Sequence, residues 1–461
     1  MQSSTVTEQL ASYAAEIRFE DLPDEVVHAA KRAILDSLGC SIGGARVKQG
    51  RFLVDFFSSM GGRPEGLVLA TGQKLPLTHA AHINAALANV LDFDDTLGEG
   101  HLGATIVPPA LAAAGMKKVT GAELLAAVTA GYEVSARIGT AIRPSPERFR
   151  LVRGLGTFQV FGAVSAVGHL LNLDSETMRS AFGIAGANAP VPSVYKEGFD
   201  DRPVAWVKNN FGWSAQGGVL GALMAQRGYR GQRSFLDGER GFWRIAGSDR
   251  CDFDLMTAGL GSEYRVLDNQ FKPYSCCRYH HSVLDGVRTL MDRTGGDEVT
   301  GVEVRTIWRV GEHMDPRPQD LTDGQYSLPY QIAGHLSGRA ERFDWMLRSQ
   351  LDDPELLKLA DRVAYVADDA MEDQFQSVRQ LSAAVVMRTA AGEWSETVPH
   401  PWGSPANPIS DADLERKFRH LTGPALGESA AQLLVDLIWN LDSVGDVGAA
   451  LAQTLTWEVT A

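Results

Sequence analysis

Through roughly the first 265 residues, apolar positions recur every three or four residues, the period of amphipathic helices. In "PDEVVHAAKRAILDSLGCSIGG", Val27, Ala30, Ile34 and Leu38 fall on one face; Pro23 can occupy the first turn, and Asp24 and Glu25 suit its positive end. Gly43-Gly44 stops the run. The same reading gives helices over "THAAHINAALANVLDFDD", "PPALAAAGMKK", "GAELLAAVTAGYEVSARIGTAI", "GTFQVFGAVSAVGHLLNL", "SETMRSAFGIAGANA" and "GWSAQGGVLGALMAQRGY". Small residues dominate their apolar faces, so these helices are expected to approach one another closely. Ser175 and Glu176, and Gly121 to Glu123, supply caps and first-turn acids.

Near residue 270 the period changes. In "GVEVRTIWRVGEH", Val302, Val304, Thr306, Trp308 and Val310 alternate with Glu303, Arg305 and Arg309, which predicts a strand. "QLSAAVVMRTAAGEWSETVPH" reads as a hairpin turning around Ala391-Gly392. Helical stretches lie between them, and the proline-rich "VPHPWGSPANPIS" marks a linker back to helix in "DADLERKFRHL" and "ESAAQLLVDLIWNL". The pattern predicts a mainly α protein with an inserted α+β domain: residues 1–270 and 400–461 form a large helical domain, and 271–399 a smaller lid.

Composition narrows the function classes. Lys+Arg 43 against Asp+Glu 57 gives a net charge of −14, which argues against nucleic-acid or anionic-membrane partners. A few local cations can still serve one anionic pocket. The sequence shows neither an apolar run of membrane-spanning length nor a signal-peptide pattern, so the expected location is the cytoplasm. Four cysteines, with no C-x-x-C pair, make a poor disulfide framework and a poor metal cage. There is no Walker-type phosphate loop and no G-x-S-x-G elbow, so a nucleotide cofactor is unsupported.

Four stretches carry candidate chemistry. "DFDDTLGEGHLGATIVPPALAAA" interrupts two alanine-rich runs with three aspartates and a histidine. Helical spacing would put Asp92 and Thr96 on one face, with His101 among glycines where a ligand can approach. A solvated acidic helix end fits the same residues, and an EF-hand does not, for want of a closing glutamate. "FKPYSCCRYHHSVLDGV" sets Lys272, Arg278, His280 and His281 at the domain junction, suited to a carboxylate in the cleft or to a merely basic helix entry. In "WVKNNFGWSAQ", Lys208 stands against the preference of a helix start, which hints at an anion beside it, unless the lysine is simply solvated. "QYSLPYQIAGHL" offers Tyr326 or Tyr330 as a hydroxyl, or as half-buried packing.

Taken in order, "LDFDDT", "GHLGATIVPPALAAA", "GYEVSARIG", "GTFQVFGA", "VKNNFGWSAQGGVLGALMAQRGYRG", "FLDGERGFWR", "FKPYSCCRYHHSVLDGV", "YSLPYQIA" and "ISDADLERKFR" resemble the MmgE/PrpD family. That family includes 2-methylcitrate dehydratases, cis-aconitate decarboxylases and iminodisuccinate epimerases. The resemblance implies a homodimer with a helical domain built from both chain ends, an α+β lid, and a metal-free site in the cleft between them. It also implies Asp92, Thr96, His101 and Lys208 on the helical side of that cleft. His281 and Tyr330 would come from the lid, with Lys272 heading the same lid motif.

The chain departs from the family pattern around this pocket. "LVRGLGTFQVFG" replaces the common "GFHPTGTFGAFG", placing Arg153 where many members carry histidine; "KNNFGW" shortens the segment after the lysine; and Leu102 replaces a common proline. Arginine keeps its charge and can grip a carboxylate in bidentate fashion. The expected activity is a cofactor-independent lyase on a di- or tricarboxylate, working through a carbanion next to a carboxylate, with dehydration of the 2-methylcitrate type as first choice. Epimerisation or decarboxylation would use the same carbanion, and a non-catalytic carboxylate-binding protein is the alternative from another class. In this scheme Lys208, Lys272 and Arg153 hold the substrate, His101 oriented by Asp92 is the base, and His281 or Tyr330 is the acid.

Overall fold

The computed structural model describes residues 4–98, 100–194, 210–341 and 351–455. Its helical body gathers Asp24–Gly44, Leu77–Val90, Leu102–Ala114, Gly121–Ala141, Leu155–Leu170 and Phe211–Gln226 around one large apolar core. The alanine- and glycine-rich faces do what their size permits. A Cβ on Gly218 would stand 2.5 Å from Ala163 Cβ and 2.7 Å from the Val164 amide, so a larger residue would force helices Phe211–Gln226 and Leu155–Leu170 apart.

Helix boundaries differ from the sequence reading in informative ways. Leu77–Val90 stops before the aspartates, and the following helix begins at Leu102, carrying Pro108 and Pro109 inside it. Gly121–Ala141 is capped by Thr120, whose hydroxyl accepts from the Glu123 amide while Glu123 accepts from the Thr120 amide, a capping box. Asp174, one residue ahead of the expected Ser175, caps Ser175–Ala187.

The C-terminal helices Asp411–Leu426, Glu428–Trp439 and Val447–Leu455 pack on this same body. Phe418 fills the space left by Gly39, where a Cβ would meet its ring at 2.8 Å.

The second body is a four-stranded sheet of β1 (Val299–Thr306), β2 (Val363–Ala367), β3 (Ala383–Thr389) and β4 (Gly392–Val398), in the order β2-β1-β3-β4. β1 and β2 are parallel, with Val302 beside Val363; the remaining pairs are antiparallel. Helix His281–Thr294 covers one face, packing Val283, Leu284 and Val287 with Val302, Val304, Val385 and Met387. The predicted alternation ends at Thr306, because residues Trp308–His313 coil into a 3-10 helix instead of continuing the strand. A third apolar cluster joins the two bodies, setting Leu91, Phe93 and Phe211 against Leu321, Tyr330 and Ala333. No helix among the described residues is long and apolar enough to cross a membrane.

Candidate functional site

The aspartate run is a turn and not a helix. Asp92 sits at φ 49°, a left-handed conformation that side chains other than glycine adopt at a cost and that Asp and Asn tolerate best. Lys272 holds it there: Nζ donates to the Asp92 carbonyl at 3.0 Å and to Oδ1 at 2.5 Å. Both residues are buried. Burial pulls the Lys272 pKa down, but the Asp92 and Asp94 carboxylates more than offset it, so the ammonium is held above its ordinary value. One residue further on, Lys417 from the C-terminal helix donates to the Phe93 carbonyl and pairs with Asp36 at 2.6 Å. Thr96 then pairs through its backbone with Gln270, N–H to O at 2.8 Å and 2.9 Å, tying the turn to the domain junction. Thr96 Oγ1 is buried without a hydrogen-bond partner.

Because the segment leaves helical geometry at Asp92, the expected shared face of Asp92 and Thr96 does not exist, and Asp92 does not orient His101. Asp94 does. Its Oδ2 lies 3.1 Å from His101 Nδ1, and Asn89 Nδ2 donates to both of its oxygens at 2.9 and 3.2 Å. A carboxylate can only accept, so the Asp94 contact favours the imidazole proton on Nδ1 and a basic Nε2, while the Asn89 Nδ2 amide, itself a donor, lies 3.2 Å from the same Nδ1. Burial would raise the Asp94 pKa, but the charge and hydrogen bond of His101, with Lys272 behind, bring it below the ordinary carboxylate range. The His101 side chain is 13 % exposed while Asp94 is fully covered, so the dyad meets solvent through the imidazole. Phe211, the first residue of its helix, backs the His101 ring at 5.4 Å.

Asp95 has a structural role. It accepts from the Gly103 amide at 3.0 Å, from the Tyr132 hydroxyl and from Asn269, thereby holding the start of helix Leu102–Ala114. Burial, then the nearby Asp36 charge, pushes its pKa up to about 7.

The other predicted residues fall as follows. Lys208 lies outside the described residues. Arg153 is in a two-residue strand, Val152–Arg153, paired with Ser193 and Val194. His281 is fully buried with both nitrogens engaged: Arg278 Nη1 lies 3.0 Å from Nδ1, and Nε2 lies 3.4 Å from the Cys276 carbonyl. Burial, then Arg278 and Lys272, holds its pKa well below the usual histidine value. It braces Arg278. Tyr330 is buried in the apolar cluster joining the two bodies, and burial, then the Asp353 charge, raises its hydroxyl pKa to about 12.

Among the described residues, two groups have the donors to hold a metal ion: Asp92, Asp94 and His101, and Cys277, His280 and His313. In the first, the Lys272 ammonium already neutralises Asp92. A cavity of about 390 Å³ has Phe93, Tyr274, Arg288, His335, Trp402 and Lys417 among its lining residues.

Sequence reasoning left Asp94, with Asp95, to local structure and passed over Lys417. Lys417 had a signal: with Leu414, Phe418 and Leu421 it falls on the apolar stripe of its helix, where an unpaired lysine would be expensive.

The fold defines a mainly helical protein of two domains, with an Asp–His dyad and a buried ammonium close to the seam. The chain belongs to the MmgE/PrpD family: the profile of the MmgE/PrpD N-terminal domain matches residues 8–253, and that of the C-terminal domain residues 274–443. It is 28% identical to a cis-aconitate decarboxylase of Aspergillus terreus, over 97% of this chain and 95% of that one. It is 24% identical to the cis-aconitate decarboxylase of Homo sapiens, over 97% of this chain and 94% of that one.

Proposed function

We propose that the chain is a lyase acting on a tri- or dicarboxylate through a carbanion next to a carboxylate. The observation that carries this reading is the convergence of Asp92, Asp94 and His101 within 4.8 Å of one another, with the Lys272 ammonium on Asp92. An imidazole held in one tautomer can take or return a proton, while a neighbouring cation favours negative charge developing on the substrate.

The full-length likeness to cis-aconitate decarboxylases favours decarboxylation over the dehydration expected from sequence. In that step the bond from carbon to a departing carboxylate breaks and carbon dioxide leaves. The bond's electron pair is taken up beside a remaining carboxylate, and a protonated His101 delivers a proton to carbon. Dehydration is the second reading, because a neutral His101 with a free Nε2 is equally suited to abstracting an α-proton. Lys208 and Arg153 belong to this proposal as substrate-holding cations.

The test is a panel of cis-aconitate, citrate, 2-methylcitrate and hydroxysuccinates, each incubated with the protein in deuterated water and followed by NMR. Loss of carbon dioxide with deuterium on carbon supports decarboxylation. Loss of water, or exchange of an α-proton, supports the hydro-lyase or epimerase reading. Binding with neither exchange nor turnover across the panel would point to a carboxylate-binding protein and overturn the proposal.

A further inference from the structure

The α+β domain carries a second convergence of ligating atoms, and it owes nothing to the carbanion reading. Cys277 precedes the 3-10 turn Arg278–His280 and His280 closes it, a C-x-x-H spacing. His313, the last residue of the 3-10 helix Trp308–His313, meets them from a separate element. One ligand atom from each, the thiol sulfur and an imidazole nitrogen from either histidine, lies within 4.8 Å of the others. His280 Nε2 and His313 Nδ1 are 3.0 Å apart.

All three residues are buried: Cys277 is 8% exposed, His313 1% and His280 0%. His280 Nδ1 is buried with no hydrogen-bond partner. The Tyr326 ring stands edge-on to His313 at 5.2 Å.

The geometry points to Cys277, His280 and His313 as a binding site for one soft divalent cation of the zinc class. A thiolate and two neutral imidazoles are a borderline-soft donor set that suits zinc and not the oxygen-seeking calcium or magnesium. Two imidazole nitrogens bound to one tetrahedral zinc at ~2.0–2.1 Å stand roughly 3.3 Å apart, so the observed pair needs only a few tenths of an ångström of opening. Binding breaks the S–H bond, forms a sulfur–metal bond and releases the proton to solvent; no electron transfer is involved. Three protein ligands leave a fourth position, the count of sites that keep room for water or a ligand.

The experiment uses the full chain, stripped with chelator and titrated with cobalt(II) as the spectroscopic substitute for zinc. The expected result is a thiolate-to-cobalt charge-transfer band with tetrahedral visible bands, saturating at one cobalt per chain and bleached by zinc(II). Cys277→Ser should abolish the charge-transfer band. His313→Ala should weaken binding by at least about tenfold, the scale at which the loss of even a supporting contact weakens a metal site. Asp94→Asn should leave the spectrum unchanged. A melting curve checks that each variant folds. Zinc protection of Cys277 against alkylation in the wild-type chain, read by peptide mass, gives a measure independent of any variant. Absence of the band, its survival in Cys277→Ser, unprotected Cys277 at saturating zinc, or loss of metal in Asp94→Asn would each overturn the site. The first and third outcomes would leave a hydrogen-bonded histidine pair beside an ordinary thiol.

Discussion

Lys272 and Lys417 reach from opposite ends of the second half of the chain to successive backbone carbonyls, those of Asp92 and Phe93, and each also holds a buried aspartate. The turn that presents Asp94 to His101 is therefore clamped by two buried ammonium groups. Its geometry depends on residues about 180 and 324 positions away, by the sequence separations of those hydrogen bonds.

Replacing Lys272 with Met should destabilise the protein by about 3–5 kcal/mol, because the Asp92 carboxylate is left buried without its counter-charge. The double variant Lys272→Met/Asp92→Asn should recover part of that loss. Denaturant unfolding of the three proteins measures both effects, and equal stability of the single and double variants would contradict the clamp.

Asp94→Asn should lower turnover by about 100-fold or more while leaving the melting temperature within a few degrees of wild type, since the amide no longer enforces the Nδ1–H tautomer of His101. Steady-state kinetics on the acid identified by the substrate panel, with a melting curve alongside, checks this.

Gly103→Ala places a Cβ 2.1 Å from Asp95 Oδ1 and 2.5 Å from Ser37 Oγ. Asp95 must then give up the Gly103 amide, and a loss of about 1–3 kcal/mol is expected. Thermal unfolding reads it directly.

Asp95 also sets a pH dependence. Its folded-state pKa of about 7 lies above that of an unfolded aspartate, so the folded chain binds the extra proton between the two values. Its contribution to stability is present below the unfolded pKa near 4 and is lost as pH rises towards and through about 7. Melting temperatures from pH 5 to 8 should show this decline in the wild type and a flatter profile in Asp95→Asn. Parallel profiles would contradict the assignment.

Legibility in the sequence followed the range of the interactions. The helical body and the sheet hairpin could be read from periodicity, because those signals are local, whereas "DFDDTLGEGH" read alone fitted a solvated acidic helix end and gained weight only from the family resemblance. The roles within that stretch could not. Helical spacing put Asp92 with Thr96, whereas a left-handed residue at Asp92 rotates the following side chains and hands His101 to Asp94. That conformation is held by lysines distant in sequence, which no local window contains. The burial of His281 against Arg278 and Tyr274 is likewise a tertiary fact, invisible in "RYHHSVLDG".

The central claim is that His101, tautomerically fixed by Asp94, moves the proton in the reaction. Its most direct test is the rate of product formation and deuterium incorporation in deuterated water for wild type and His101→Gln, on the acid that wild type turns over. The account predicts that both fall together by at least about 100-fold with an unchanged melting curve. Turnover and deuterium incorporation at wild-type rates in His101→Gln would contradict it.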